Sequence, residues 1–330
     1  MLEESEVDHM VYVEMGGRCG NQLFHYALGR YVQLKNNDDE LILNFNQVYS
    51  KKKEAEGWYD VLKEYKTVPY KYYTKQGTVL KNESSSFQKL LIAIKTIHIK
   101  LYSNSTRQKR ANIASVGQKI LNYFGIYWVR EGVNKLYFKK NKQKINKSIV
   151  SGPCEATMIY EIQNLLQSEL EPREAVMPKN QKLFNEISNV ESVCVSVRRG
   201  DFFNSANIKS FAVCTEKYYK NAKVLMDNKL ANKKNVRYYI FSDDIKWCKE
   251  TLKFSENNIT FVSQDMPVYE TLRLMYSCKH FILSNSTFSW WGQFLSKNMN
   301  KIIISPIRWN NDDYDSVLIN RKEWILIDEL

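Results

Sequence analysis

Apolar and polar positions follow a regular order in the second half of the chain. Val193–Val197 is a short apolar run, and Val236–Phe241, Ile259–Val262, Phe281–Leu283 and Lys301–Ile304 repeat the pattern. Between these runs, apolar residues recur at helical spacing over Thr215–Lys229, Asp244–Leu252, Pro267–Cys278 and Thr287–Leu295. Short buried strands alternating with helices predict parallel βαβ units. The chain opens the same way. Met10–Met15 reads as a strand and Gly16, Gly17 and Gly20 as a turn. Leu23, Phe24, Ala27, Leu28, Tyr31, Val32 and Leu34 then form the apolar face of a helix, and Leu41–Phe45 reads as the next strand.

The middle of the chain is less regular. Residues 50–80 are mixed and rich in Lys and Tyr, and 82–86 (NESSS) read as a loop. Phe87–Tyr102 alternates apolar residues with Lys89, Lys95 and Lys100, as a basic amphipathic helix would. Residues 103–118 are polar, and 139–147 (KKNKQKINK) read as a charged loop or exposed strand end. Gln163–Leu170 and Lys179–Ile187 read as helices. The expected division is an N-terminal domain over 1–188, with a basic insertion near 81–150, and a C-terminal domain over 189–330.

Length and composition agree with two packed domains: the chain has 330 residues, 44% of them hydrophobic. No apolar run approaches the roughly 20 residues that span a bilayer. The opening MLEESEVDHM is acidic and lacks the basic and apolar regions of a signal peptide. The expected location is therefore cytoplasmic, at most peripheral on the inner face of the plasma membrane. Six cysteines without a CxxC pair suit free, mostly buried thiols better than zinc or a disulfide framework.

Charge changes the picture. The net charge is +12, yet residues 81–150 hold 15 Lys/Arg against 2 Glu, so this one segment carries the basic character of the chain. Peripheral contact with an anionic membrane is one reading of it. A solvated, Lys-rich insertion is the other.

In open parallel sheets ligands bind at the carboxyl ends of strands, and three such ends carry unusual residues. The first is VCVSVRRGD, ending in Arg198, Arg199, Gly200 and Asp201. Neighbouring side chains on a strand face opposite ways, so one arginine faces the ligand side and the other points away. A guanidinium there suits a diphosphate and the charge of a departing nucleotide; a structural Arg–Asp ion pair is the plainer reading. The second is YYIFSDD. Asp243 can accept from a guanine edge or ribose, while Asp244 reads as a helix cap. The third is FILSNSTFSWW, whose strand leads into Ser284, Asn285, Ser286 and Thr287 at a helix start that favours anions. Its Phe288, Trp290 and Trp291 read as core. The opening GGRCGNQ turn is a fourth candidate, with Gly17, Asn21 and Gln22; it has neither dinucleotide nor Walker spacing.

Taken in order, Gly16–Tyr26 (GGRCGNQLFHY), Ser196–Phe202 (SVRRGDF), Phe241–Asp244 (FSDD) and Asn285–Gly292 (NSTFSWWG) resemble the signatures of glycosyltransferase family 11, the α-1,2-fucosyltransferases. The likeness runs from residue 10 to about 310. It implies an α/β, GT-B-like fold of two Rossmann-like domains facing a cleft. It implies GDP-fucose as donor and inverting transfer to the 2-hydroxyl of a galactoside, as in surface polysaccharide or O-antigen synthesis, with no metal or other cofactor. The acceptor would be a galactose-terminated glycan, including a lipid-linked one. By the same resemblance Arg198 binds the β-phosphate and Arg199 supports it. Asp243 holds guanine or ribose; Ser286, Thr287 and Ser289 lie near the diphosphate; Asn21 and Gln22 line the donor site from the N-terminal domain. Ser196 stands where many relatives carry His.

Inversion implies one displacement through an oxocarbenium-like transition state. Arg198 is the expected stabiliser of the leaving group and Asp201 the expected general base, with Glu14 and His25 flanking the opposite loop. Asp313-Tyr314-Asp315 has metal-site spacing but sits in a polar NNDDYD run that reads as a solvated turn. A transferase for another nucleotide sugar is the alternative within enzymes. A basic nucleic-acid-binding protein is the alternative outside them, and it leaves the strand-end residues unexplained.

Overall fold

The computed structural model describes residues 9–37, 40–101, 115–129, 135–138, 147–152, 156–252, 254, 258–311 and 319–328. The chain forms two compact units. One comprises residues 1–63 and 67–162, the other 64–66 and 163–330. The boundary therefore lies before the helices Gln163–Glu169 and Gln181–Asn189, which pack on the second unit rather than on the first. Gln163 and Gln167 both donate to the carbonyl of Phe294, which ties the earlier helix there.

The first unit is a five-stranded parallel sheet of β1 (Met10–Glu14), β2 (Glu40–Asn44), β3 (Lys71–Tyr72), β4 (Ile126–Trp128) and β5 (Lys147–Ser151), in the order β3-β2-β1-β5-β4. β1 is central, pairing with β2 on one side and β5 on the other; Val11 and Val13, on one face, are fully buried, and Met10, Tyr12 and Glu14 on the other are half-buried. The helix Cys19–Asn36 follows it at once and buries Leu23, Phe24, Ala27, Leu28 and Val32. Gly29 lets this helix lie close to the sheet, since a Cβ there would come within 2.6 Å of the Val13 side chain. β3, β4 and β5 fall in stretches with little sequence pattern, and the run 139–146 lies outside the described residues.

The second unit holds six parallel strands: β6 (Glu191–Val197), β7 (Val236–Ser242), β8 (Ile259–Phe261), β9 (His280–Ile282), β10 (Ile303–Pro306) and β11 (Ile325–Ile327). Their order is β11-β10-β9-β6-β7-β8. Renumbered from β6, this is the 3-2-1-4-5-6 order of the doubly wound Rossmann sheet. The order in which the chain adds strands reverses between β6 and β9, where such folds bind ligands. The expected helices are present at Glu216–Lys229, Ile245–Thr251, Val268–Ser277 and Thr287–Leu295. Trp290, Trp291 and Phe294 are fully buried, and the rings of Trp290 and Phe294 stack at 4.8 Å.

Both units are Rossmann-like, so the chain is α/β with GT-B-like composition. Five cysteines, Cys19, Cys194, Cys214, Cys248 and Cys278, are buried; Cys154 lies outside the described residues. Among the described residues no helix is long and apolar enough to cross a membrane.

Candidate active site

β9, β6 and β7 are neighbours and run parallel, so three of the singled-out loops leave the sheet side by side. β6 pairs with β7 along its whole length, Val197 opposite Ser242. That register sets Arg198 and Arg199 beside Asp243 and Asp244.

Arg198 is gripped from two sides. Its Nη1 lies 2.7 Å from Asp243 Oδ2, and its Nη2 donates to Asp201 Oδ1. The guanidinium also lies 5.3 Å from the ring centre of Phe202, which stacks on Phe211. A planar fork held by two carboxylates and a ring has little freedom left, so its geometry is preorganised.

Arg199 points the other way. Its guanidinium sits 3.9 Å from the Trp247 ring and 4.1 Å from the Phe203 ring, and its Nε donates to Asp244 Oδ2 at 3.3 Å. This is a sandwich with an ion pair, a bracing role for the loop.

The two aspartates also divide as their positions suggest. Asp244 caps the helix Ile245–Thr251, its Oδ1 accepting from the Trp247 N–H at 3.0 Å. Asp243 spends one oxygen on Arg198, and its Oδ1 accepts from the Arg199 backbone N–H at 2.8 Å. Both oxygens thus hold the arginine loop, where sequence reasoning expected a base or ribose contact. Gly200 permits this approach, because a Cβ there would fall 2.6 Å from Asp243 Oδ2.

At the end of β9, Ser286 and Thr287 are half-buried at the start of the helix Thr287–Leu295. Asn285 and Ser289 are placed differently from the expectation of ligand contact. The Asn285 amide donates to the carbonyls of Phe211 and Trp309 at 3.0 and 2.9 Å. Ser289 is fully buried, and its hydroxyl accepts from the Ser284 N–H at 3.1 Å. Both set the shape of the turn. Ser196 faces Ser284 across the switch point, hydroxyl to hydroxyl at 3.4 Å.

Two residues that sequence reasoning missed hold these strand ends. Tyr219 donates its hydroxyl to the Ser196 carbonyl at 3.1 Å, and Tyr218 donates to the Leu283 carbonyl at 2.6 Å. Both are fully buried, and burial pushes the Tyr219 hydroxyl well above its ordinary pKa, so it stays a donor. The signal was an aromatic doublet in the first turn of the helix Glu216–Lys229.

The fourth segment belongs to the first unit. Gly17 has φ +71°, and a Cβ there would strike the Asn21 side chain at 2.4 Å. Asn21 is exposed. Gln22 is fully buried, unlike the expected site-lining residue. Its Nε2 donates to the carbonyls of Gly17 and Tyr59 at 3.0 and 2.8 Å, while its Oε1 accepts from the Val61 N–H at 3.2 Å. It ties the glycine turn to the chain near residue 60. Of the other candidate bases, Glu14 is raised in pKa by burial, although the Val79 N–H and Asn44 amide bind its oxygens. Burial pulls the His25 imidazole down to about 4, which leaves it neutral at pH 7.

The model of glycosyl transferase family 11 matches residues 10–328 of this chain, a span that holds all four motifs. The chain belongs to family 11. It is a glycosyltransferase. Among its relatives, an α-1,2-colitosyltransferase of Escherichia coli is 25% identical over 97% of this chain and 99% of its own. An O-antigen biosynthesis glycosyltransferase of Escherichia coli, WbnK, is 31% identical over 37% of this chain and 40% of its own. A galactoside α-(1,2)-fucosyltransferase 1 of Bos taurus is 24% identical over 44% of this chain and 42% of its own.

Proposed function

We propose that this family 11 enzyme transfers L-fucose from GDP-fucose to the 2-hydroxyl of a terminal galactoside, with inversion, in the building of a surface polysaccharide or O-antigen. The observation that carries the reading is Arg198 at the switch point of the second sheet, its fork preset by Asp201 and Asp243. A guanidinium there supplies the fixed positive charge that a departing nucleoside diphosphate needs.

In the proposed step the acceptor oxygen attacks C1 of the sugar. The bond from C1 to the phosphate oxygen breaks, GDP leaves with the electron pair, and the hydroxyl proton passes to a carboxylate. Asp201 is the proposed base. It lies beside the guanidinium that meets the leaving group, its Oδ1 accepting from Arg198 Nη2. Ser286 and Thr287, at a helix start, bind the phosphates, while Asn285, Ser289 and Gln22 keep the loops in shape. Arg198 supplies the charge that a metal supplies in other transferases, so the reaction is proposed to run without metal or other cofactor.

A second donor has its own support. A relative that aligns over nearly the whole chain is a colitosyltransferase, and colitose is fucose without its 3-hydroxyl. The deciding experiment offers GDP-fucose, GDP-colitose and a UDP-hexose to the enzyme with a β-galactoside in EDTA, and identifies products by NMR. A fucosylated 2-hydroxyl is expected. Transfer only from GDP-colitose overturns the fucose assignment and keeps the family chemistry. Transfer only from the UDP-sugar, or only after manganese is added, overturns the donor or the metal-free step.

A further inference from the structure

The helix Ser86–Leu101 is turned inside out for a helix in water. The one side chain it buries is Lys95, 6% exposed. The Lys95 ammonium donates to Gln118 Oε1 and lies 5.8 Å from the Trp128 ring centre. The outward face carries Phe87, Leu90, Ile94, Ile97 and Leu101, between 52% and 74% exposed. Their spacing of three, four, three and four residues lays them in one stripe. The short helix Gln118–Tyr123 extends the face with Ile120 and Tyr123, 54% and 52% exposed. Contacts between the rings of Phe87 and Phe124, and from the Gln88 amide to the Phe124 carbonyl at 2.7 Å, hold the two helices together.

A contiguous apolar face of this kind is rare on a monomer in water and marks a contact surface. Its charge says what it contacts. Between Glu83 and Glu131 the chain has no Asp or Glu, and Lys89, Lys100 and Lys119 are exposed on the same two helices. A second copy of this face would bring like charge against like charge. A polyanionic chain would satisfy the lysines and leave the stripe in water. An anionic lipid surface meets both: acyl chains for the stripe, headgroup phosphates for the lysines. At 16 residues, about 24 Å at the rise of an α-helix, and with lysines along one side, the helix suits lying in the interface plane.

We propose that the helices Ser86–Leu101 and Gln118–Tyr123 form a docking face for an anionic membrane, with the stripe in the acyl boundary and Lys89, Lys100 and Lys119 among the headgroups. The face places the enzyme where a lipid-linked acceptor is presented, but docking stands whether or not the donor assignment holds.

The test is flotation of the full chain with vesicles of phosphatidylcholine alone, or with 30 mol% phosphatidylglycerol. It uses the wild type, L90Q/I94Q/I97Q and K89Q/K100Q/K119Q; all six substituted positions other than Lys119 lie on the long helix, and none is buried. GDP binding and circular dichroism check that each variant is folded. The expected result is binding to the anionic vesicles, weak binding to the neutral ones, and a loss of about tenfold or more in partition for each variant. Wild-type partition in the leucine and isoleucine variant overturns the docking face. So does wild-type protein that ignores vesicles but sediments as a dimer dissolved by L90Q/I94Q/I97Q, which makes the stripe a seam between copies.

Discussion

Asp243 Oδ2 stands 2.7 Å from Arg198 Nη1, while the other oxygen of the same carboxylate accepts the backbone N–H of Arg199. One side chain just past the end of β7 therefore fixes both the fork and the main chain of the arginine loop that follows β6. Removing Arg198 should leave the fold intact, because the side chain reaches out of the sheet, and remove the charge that meets the leaving diphosphate. Arg198→Ala should lower turnover by about 10²-fold or more. Arg198→Lys should recover little, since a point charge does not reproduce a fork held by two carboxylates. Steady-state kinetics with calorimetric GDP binding checks this, and near-normal turnover in Arg198→Ala removes the assigned role.

The close approach of Gly200 to the same carboxylate yields a second expectation. A methyl at Gly200 would fall 2.6 Å from Asp243 Oδ2, so one of them must move. The backbone there is not in the left-handed region, so the cost is displacement rather than strain. Gly200→Ala should lower kcat/KM by roughly tenfold, in line with a misplacement at a preorganised site, with only a small change in melting temperature. If turnover is unaffected and stability collapses, the contact serves folding instead.

Capping and ion pairing at Asp244 are separable. Its Oδ1 caps the helix and its Oδ2 pairs with Arg199. Asp244→Asn preserves the cap acceptor and drops the charge; Asp244→Ala loses both. The alanine variant should be less stable than the asparagine variant by about 1 kcal/mol, the usual worth of a cap. The partly exposed ion pair should add less than about 1 kcal/mol. Urea midpoints for the two variants give the difference directly.

The second unit is legible because its strands are short, apolar and separated by helices with apolar residues at helical spacing, a pattern that survives without tertiary information. β5 was not, because Lys147–Ser151 is five residues with two serines, and only pairing on both sides makes it central. At the site, sequence showed where polar residues leave the sheet but not how their atoms are spent. Asp243, Asn285, Ser289 and Gln22 all stand at the expected places with hydrogen bonds directed into the protein. Tyr218 and Tyr219 escaped because their function is carried by hydroxyls that meet backbone carbonyls far along the chain. The spacing of Phe87–Tyr102 predicts a basic amphipathic helix, but the pattern alone does not say that Lys95 faces inward while Leu90 and Leu101 face outward.

The first unit carries a carboxylate whose titration should be visible. Glu83 is 2% exposed at its side chain, with Oε1 accepting from Lys75 and Tyr73 at 2.7 Å each and Oε2 accepting from Lys147 at 2.6 Å. Burial pushes its pKa up, but the bonds from Lys147, Lys75 and Tyr73 outweigh it and hold the carboxyl at about 2, against an ordinary 4.5. The folded pKa is below the unfolded one, so the unfolded chain takes up the proton first. The stabilisation is complete above the unfolded value and drains away as pH falls from about 4.5 towards about 2. Lys75 and Lys147 remain partly in water, so the contribution at pH 7 is discounted to about 2 kcal/mol. Glu83→Gln should lower stability by about that amount at pH 7, by less at pH 4, and by almost nothing near pH 2. Urea unfolding at the three pH values checks it, read by hydrogen exchange at Ile149 and Val150 on β5, the strand that begins at Lys147. A deficit that stays constant with pH would mean that Glu83 acts through packing rather than through its charge.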